Sequence, residues 1–207
     1  LQEENTEDIQ KMAAIVPTDK PYLKTSVTET FKKRIPWLLL LMISATITSQ
    51  ILTNFENKLA SVATLIAFIP MLMGTGGNSG GQSSVTVIRA LSLDEISMRD
   101  IFKVVWKELR VGIACGAALA AVCFVKLLLF DKYVLGNSEI TVMISLVVSL
   151  TIIVEVIFSK IIGCCLPIIA KKCGFDPAVM ANPFITTITD AVSLLIYILF
   201  ASALLGI

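Results

Sequence analysis

Of the 207 residues, 56% are hydrophobic and 16% charged, and 17 Lys and Arg set against 16 Asp and Glu leave a net charge of +1. With a strongly positive mean hydropathy, these proportions exclude an ordinary soluble domain and make lipid the solvent for most of the chain. A near-neutral chain without a dense Lys/Arg block excludes nucleic acid as a partner. Histidine is absent and the five cysteines have no CxxC spacing, which excludes a zinc site or thioredoxin-type motif and leaves cysteine as a small apolar helix residue.

Residues 1–34 are polar and predict an amphipathic helix or linker outside the bilayer; the polar opening at Leu1, with no signal peptide, predicts a piece cut from a longer protein. Residues 35–207 then hold five predicted spans. Ile35 to Thr53 is uncharged and entered through Pro36 and Trp37, an indole suited to the lipid–water boundary. Leu59 to Leu93 is the second, interrupted at 74–84 by GTGGNSGGQSS. So many glycines predict a break in the helix, turned inward, because hydrocarbon offers no partner for freed backbone groups. DEISMRDIFKVVWK at 94–107 predicts an amphipathic surface segment, and Leu109 to Phe130 a third span, whose Gly112 and Gly116 at GxxxG spacing mark close helix packing. A polar link from Asp131 to Glu139 leads to a fourth span, Ile140 to Ala170, and KKCGFDP at 171–177 makes a turn into the fifth, Ala178 to Leu205. Each is long enough to cross ~30 Å of hydrocarbon at ~1.5 Å per residue. The fold class is therefore an all-α membrane protein of five transmembrane helices.

Basic residues set the orientation. Lys11, Lys20, Lys24, Lys32, Lys33 and Arg34 precede the first span, Arg89 to Arg110 supply five more between spans two and three, and Lys171 and Lys172 lie between four and five. The other side has only Lys58, Lys126 and Lys132. Cytoplasmic loops collect Lys and Arg, so the N-terminus is expected in the cytoplasm and the C-terminus outside.

Asp190 is the sharpest chemical signal, since a mid-span carboxylate costs at least ~2.5–3.5 kcal/mol and persists where it faces a pore or a partner. Thr186, Thr187, Ser193 and Tyr197 recur at helical spacing around it and make a polar stripe on an apolar helix. Glu155 is the other mid-span acid. Lys160, five residues on, lies about 140° around the helix, an awkward pairing that predicts a lysine snorkelling toward the cytoplasm and a glutamate protonated or turned to another helix. The glycine-rich segment fails as a dinucleotide fingerprint because Ser79 stands at the third glycine position on a membrane helix. Gly77-Asn78-Ser79-Gly80-Gly81 fits G-x-S-x-G, but the chain has no histidine base and no lysine at that depth of span two, so no enzyme is expected. Pore lining remains, with backbone carbonyls and the Asn78 and Gln82 amides as oxygen ligands for a hard cation or its waters.

PMLMGTGGNSGGQSSVTVIRALSLDEI at 70–96 and DPAVMANPFITTITDAVSLLIYI at 176–198 resemble the transmembrane domain of the MgtE magnesium channels, and TEDIQKMA at 6–13 with KKRIPWLL at 32–39 resembles that family's link into the membrane. The resemblance implies a homodimer with the pore on its twofold axis, in a bacterial plasma (inner) membrane. It implies that residues 1–34 are a linker and plug-type helix ending a cytoplasmic CBS regulatory region. Asp190 would bind the ion with backbone oxygen near Thr186, and Gly76, Gly77, Asn78, Gln82, Asn182, Thr187 and Ser193 would line its path. The transported ion would be Mg²⁺, with Mn²⁺, Co²⁺ or Ca²⁺ as substitutes; a Na⁺- or H⁺-coupled exchanger on the same fold is the alternative. Gly81 departs from the family's second Asn, and Glu155 and Lys160 stand where apolar or small residues are expected.

Overall fold

The computed structural model describes residues 7, 9–13, 15–17, 21–56, 62–180 and 182–206. Among them are five long α-helices, α1 (Val27–Asn54), α2 (Ile69–Ser92), α3 (Ile101–Val125), α4 (Val142–Lys172) and α5 (Asn182–Leu205), and no strand. Leu59, given as the start of the second span, and Lys20 and Lys58, used for orientation, lie outside the described residues, as do Thr6 and Asp8 of the opening motif.

Local chemistry sets the helix limits. Ser26 starts α1 by accepting a hydrogen bond from the Glu29 N–H at 3.2 Å, so this helix begins at Val27, within the segment read as linker, and carries Pro36 inside it. A 3₁₀ segment, Ala63–Phe68, leads into α2, which has Pro70 in its first turn, where no N–H is missed. α3 begins at Ile101, inside the segment expected at the surface, and continues as π-helical turns over Lys126–Val134. The expected link from Asp131 is thus helical at its start: the π pitch brings Lys126 and Asp131, five apart, into an ion pair at 2.6 Å. Thr141 caps α4. Gly174, at φ +79°, ends it, with Phe175 N–H bonded to Ala170 O and Gly174 N–H to Lys171 O, the paired bonds of a Schellman stop.

Four segments among the described residues are long and apolar enough to cross a membrane: Val27–Asn54, Met98–Val134, Val142–Lys172 and Pro183–Leu205. α2 has the length, 24 residues or about 36 Å, but its middle is too rich in Gly, Ser, Asn and Gln to join them. The break expected at 74–84 is not there. GTGGNSGGQSS is continuous α-helix, because α4 and α5 pack along it and their contacts replace the intrinsic stability that glycine lacks.

Glycine sets how closely these helices approach. A Cβ on Gly163 of α4 would overlap the carbonyl oxygen of Gly80 on α2, so those helices meet backbone to backbone. The expected GxxxG packing of α3 is present, with Cβ atoms on Gly112 and Gly116 reaching 3.1 Å from the Cα atoms of Ile157 and Ile153. The core is layered. Leu65, Leu72, Leu127, Val147, Val148, Leu194 and Tyr197 fill one end of the bundle, and Val87, Leu91, Cys164 and Ile168 the other. Between them lies a buried polar layer that includes Ser83, Ser84, Glu155, Ser159, Lys160, Thr189 and Ser193. α1 stands outside this core, with no buried residue, packed mainly on α5.

Candidate ion pathway

Residues four apart share a helix face, and α2 places Asn78, Gln82 and Thr86 on one and Gly77, Gly81 and Val85 beside it. These residues and Thr186 of α5 line an open groove of ≈ 840 Å³. Asn78 and Gln82 are exposed to it. Gly77 lets α5 come close, since a Cβ there would lie 3.0 Å from the Thr186 methyl. Gly77, Asn78, Gln82 and Thr186, all named from the sequence, come together here from two helices.

The remaining predicted residues divide. Asp190 lies one turn beyond Thr186 on α5, partly buried and within electrostatic range of Glu155. The Thr186 carbonyl accepts a hydrogen bond from the Thr189 hydroxyl at 3.0 Å, and the Thr187 hydroxyl donates to Pro183 O at 3.0 Å. Asn182 begins α5, and its side chain lies outside the described residues. Gly76 and Ser193 do not line the groove. They meet on the opposite side of α2, where a Cβ on Gly76 would be 2.6 Å from Ser193 Oγ and 3.1 Å from both Glu155 Oε1 and Ser159 Oγ. Tyr197, counted with the polar stripe, is buried and donates its hydroxyl to Leu65 O at 2.9 Å, fastening the lead into α2. Among the described residues, no three His, Cys, Asp or Glu side chains gather as a metal-holding group.

Lys160 corrects the snorkelling expectation. It is 4% exposed and turns inward, Nζ donating to Ser83 Oγ at 3.5 Å. Ser83 in turn donates to Glu108 Oε2 at 2.5 Å, so a serine on α2 links an acid on α3 to a base on α4. Sequence reasoning missed Glu108 because it assigned residues 94–107 to the surface and began the next span at Leu109. The only available signal was an acid one turn before the glycines that press α3 onto α4. Ser79 is buried on an unbroken helix, not on the sharp strand-to-helix turn that exposes a serine nucleophile.

Outside the spans, residues 9–12 are helical, and Lys11 reaches the turn between α4 and α5, pairing with Asp176 at 2.6 Å and with Glu7 at 2.7 Å. For Asp176, burial pushes the carboxyl up, but the hydrogen bonds from Lys11 and the Ala178 N–H outweigh it and hold it below the usual carboxylate range. The hydrogen bonds to Asp176 and Glu7 raise the Lys11 ammonium.

An apolar helical bundle with one polar helix sealed against its neighbours on one face and open to a groove on the other defines an integral membrane protein. Residues 69–200 match the model of the MgtE family, described as a divalent cation transporter. A protein named magnesium transporter MgtE from Thermus thermophilus is 35% identical over 205 residues, 99% of this chain and 44% of that protein. One of the same name from Bacillus subtilis is 36% identical over 171 residues, 83% of this chain and 36% of that protein. The chain belongs to the MgtE family, and it spans less than half the length of these relatives.

Proposed function

We propose that this chain forms half of a passive Mg²⁺ conduction pathway, two copies meeting about a twofold axis so that their grooves face one another across a pore of ten helices. The observation that carries this reading is the groove. Asn78, Gln82 and Thr186 gather on an open face of helices that are otherwise apolar, and Asp190 stands one turn farther along α5. Hard divalent ions take oxygen ligands, and Mg²⁺ gives up its waters reluctantly. The amides and hydroxyls would therefore bind water on the ion, and Asp190 would hold the hydrated ion through its outer shell.

Charge balance calls for the second copy. One carboxylate offsets half of a dication, whereas two Asp190 side chains across a twofold axis offset all of it. At ~4 Å and an effective dielectric of ~20, each attracts a divalent cation by roughly 8 kcal/mol before desolvation, twice the value for a monovalent ion. An inside-negative membrane contributes ~4.6 kcal/mol per 100 mV to inward movement of a double charge, so import needs no coupled gradient. The N-terminus would be cytoplasmic and the C-terminus outside, in a bacterial plasma membrane. Residues 1–34 would join the pore to a regulatory CBS region in the full-length protein, and Mn²⁺, Co²⁺ and Ca²⁺ would compete to the extent that the groove tolerates their hydration.

Uptake into a magnesium-auxotrophic strain or into reconstituted liposomes tests this. Asp190→Asn and Asp190→Ala are expected to reduce flux to background, and wild-type transport by either would remove Asp190 from the pathway. Flux that disappears when both Na⁺ and H⁺ gradients are collapsed would convert the channel into a coupled exchanger.

A further inference from the structure

The closed face of α2 carries a feature the groove does not use. Glu155, Ser159 and Ser193 are 0%, 1% and 1% exposed, and the Glu155 carboxylate oxygens and both serine hydroxyls have no hydrogen-bond partner among the described residues. All three side chains converge on the bare backbone of Gly76, at 2.6–3.1 Å from where its Cβ would be. The Gly76 N–H lies near the carboxylate but outside hydrogen-bond geometry. Among the described residues no base offsets it, because Lys160 is engaged with Ser83 and through it Glu108. The other charge that Glu155 senses is a second acid, Asp190.

A buried carboxylate without a partner is among the costliest groups a membrane protein can hold. Side chains from two helices that converge over one glycine without bonding to each other bring their oxygens close enough to share a cation beside that backbone. A neutral acid would instead donate its proton to one of the two hydroxyls beside it. We propose that Glu155, Ser159 and Ser193, gathered over Gly76, form a second cation site in each chain, built for one dehydrated Na⁺ and separate from the groove.

The chemistry selects the ion. A single carboxylate in a dry site balances a single positive charge. Mg²⁺ keeps several waters and demands near-octahedral geometry, which this tight seam does not offer, whereas Na⁺ is held elsewhere in membrane bundles by hydroxyl, carboxylate and carbonyl oxygens at mid-bilayer depth. Gly76 adjoins Gly77 and Asn78 of the groove, and Ser193 lies one turn from Asp190. Filling the site would draw α2, α4 and α5 together and set the groove's width. That effect on flux rests on the transport reading, but the binding does not.

The test uses the whole chain in nanodiscs without Mg²⁺. Equilibrium dialysis with ²²Na⁺ is expected to give one saturable Na⁺ per chain, and NaCl to raise Tm above that in N-methylglucamine chloride of equal ionic strength. Glu155→Gln should abolish both effects, Ser193→Ala should weaken Na⁺ affinity by about tenfold or more, and Asp190→Asn should preserve binding. Should Glu155→Gln fail to fold, the wild-type stoichiometry and Ser193→Ala decide. Absence of saturable ²²Na⁺ binding overturns the site. So does binding unchanged in Glu155→Gln or Ser193→Ala, or Glu155-dependent stabilisation by acid alone, which would make the occupant a proton. If Asp190→Asn leaves flux intact while Na⁺ still binds, Asp190 is removed from the pathway and this site stands.

Discussion

The two faces of α2 are made from the same glycine-rich run and do opposite things. On one, Asn78 and Gln82 are exposed to an open groove; on the other, Gly80 meets Gly163 backbone to backbone and Gly76 sits under Glu155, Ser159 and Ser193. Glycine serves both, admitting α4 on the closed side and leaving the groove open on the other. The polar residues of α2 are thus divided between a sealed seam and an open groove, and composition alone does not say which residue is which.

Substitutions can break the comparison. The largest effect is expected at Asp190, where neutralisation should take flux to background while leaving the folded fraction unchanged by size-exclusion chromatography; comparable loss of fold would make Asp190 a packing residue. On the closed face, Gly163→Val should separate α2 from α4 and cost about 3 kcal/mol, seen as loss of folded protein in detergent, whereas Asn78→Ala on the open face should alter flux with stability kept. Next is Ser83→Ala, which leaves Glu108 and Lys160 buried without their bridge and should cost about 1–3 kcal/mol in a denaturation titration.

Tyr197→Phe sharpens the contrast within the stripe on α5. It removes one buried hydrogen bond to Leu65 O, so about 1 kcal/mol of stability should be lost with flux unaffected. The smallest effect belongs to Lys11 and Asp176, an ion pair more than a third exposed on the acid side, worth a few tenths of a kcal/mol. Asp176 is held low, so its contribution is complete above the ordinary carboxylate range near 3.9 and is lost as pH falls through its lowered value. Lys11 is raised, so its contribution is complete below about 10.4 and is lost only as pH rises past its raised value. Thermal melts from pH 3 to 7 should show a smaller acid-side loss in Lys11→Met than in the natural sequence, because the contact that holds Asp176 low is already gone.

Hydropathy made the helices legible, and GxxxG at Gly112 and Gly116 foretold close packing of α3, though not that its partner is α4. Helix ends were less so: α1 begins at its Ser26 cap and α3 at Ile101, both inside segments whose charge had suggested the aqueous surface. The supposed break in α2 failed because propensity counts what glycine costs an isolated helix and not what α4 and α5 return. Among the named residues, the Asn78 and Gln82 amides were readable as oxygen ligands on one helix face, whereas the turn of Gly76 and Ser193 to the other side of α2 follows from how an α-helix winds around its axis. Three residues past Asp190 is already the closed side. The bridge from Glu108 through Ser83 to Lys160 joins three separate helices, and no pattern within a single helix encodes it.

The account is tested most directly by locating a divalent ion in the assembled protein, using Mn²⁺ anomalous scattering or cryo-EM density. It predicts density in the groove between two Asp190 side chains related by a twofold axis, with carboxylate oxygens about 4 Å from the ion and water between them. Density elsewhere, with Asp190 locked in a dry contact or turned to lipid, would contradict it.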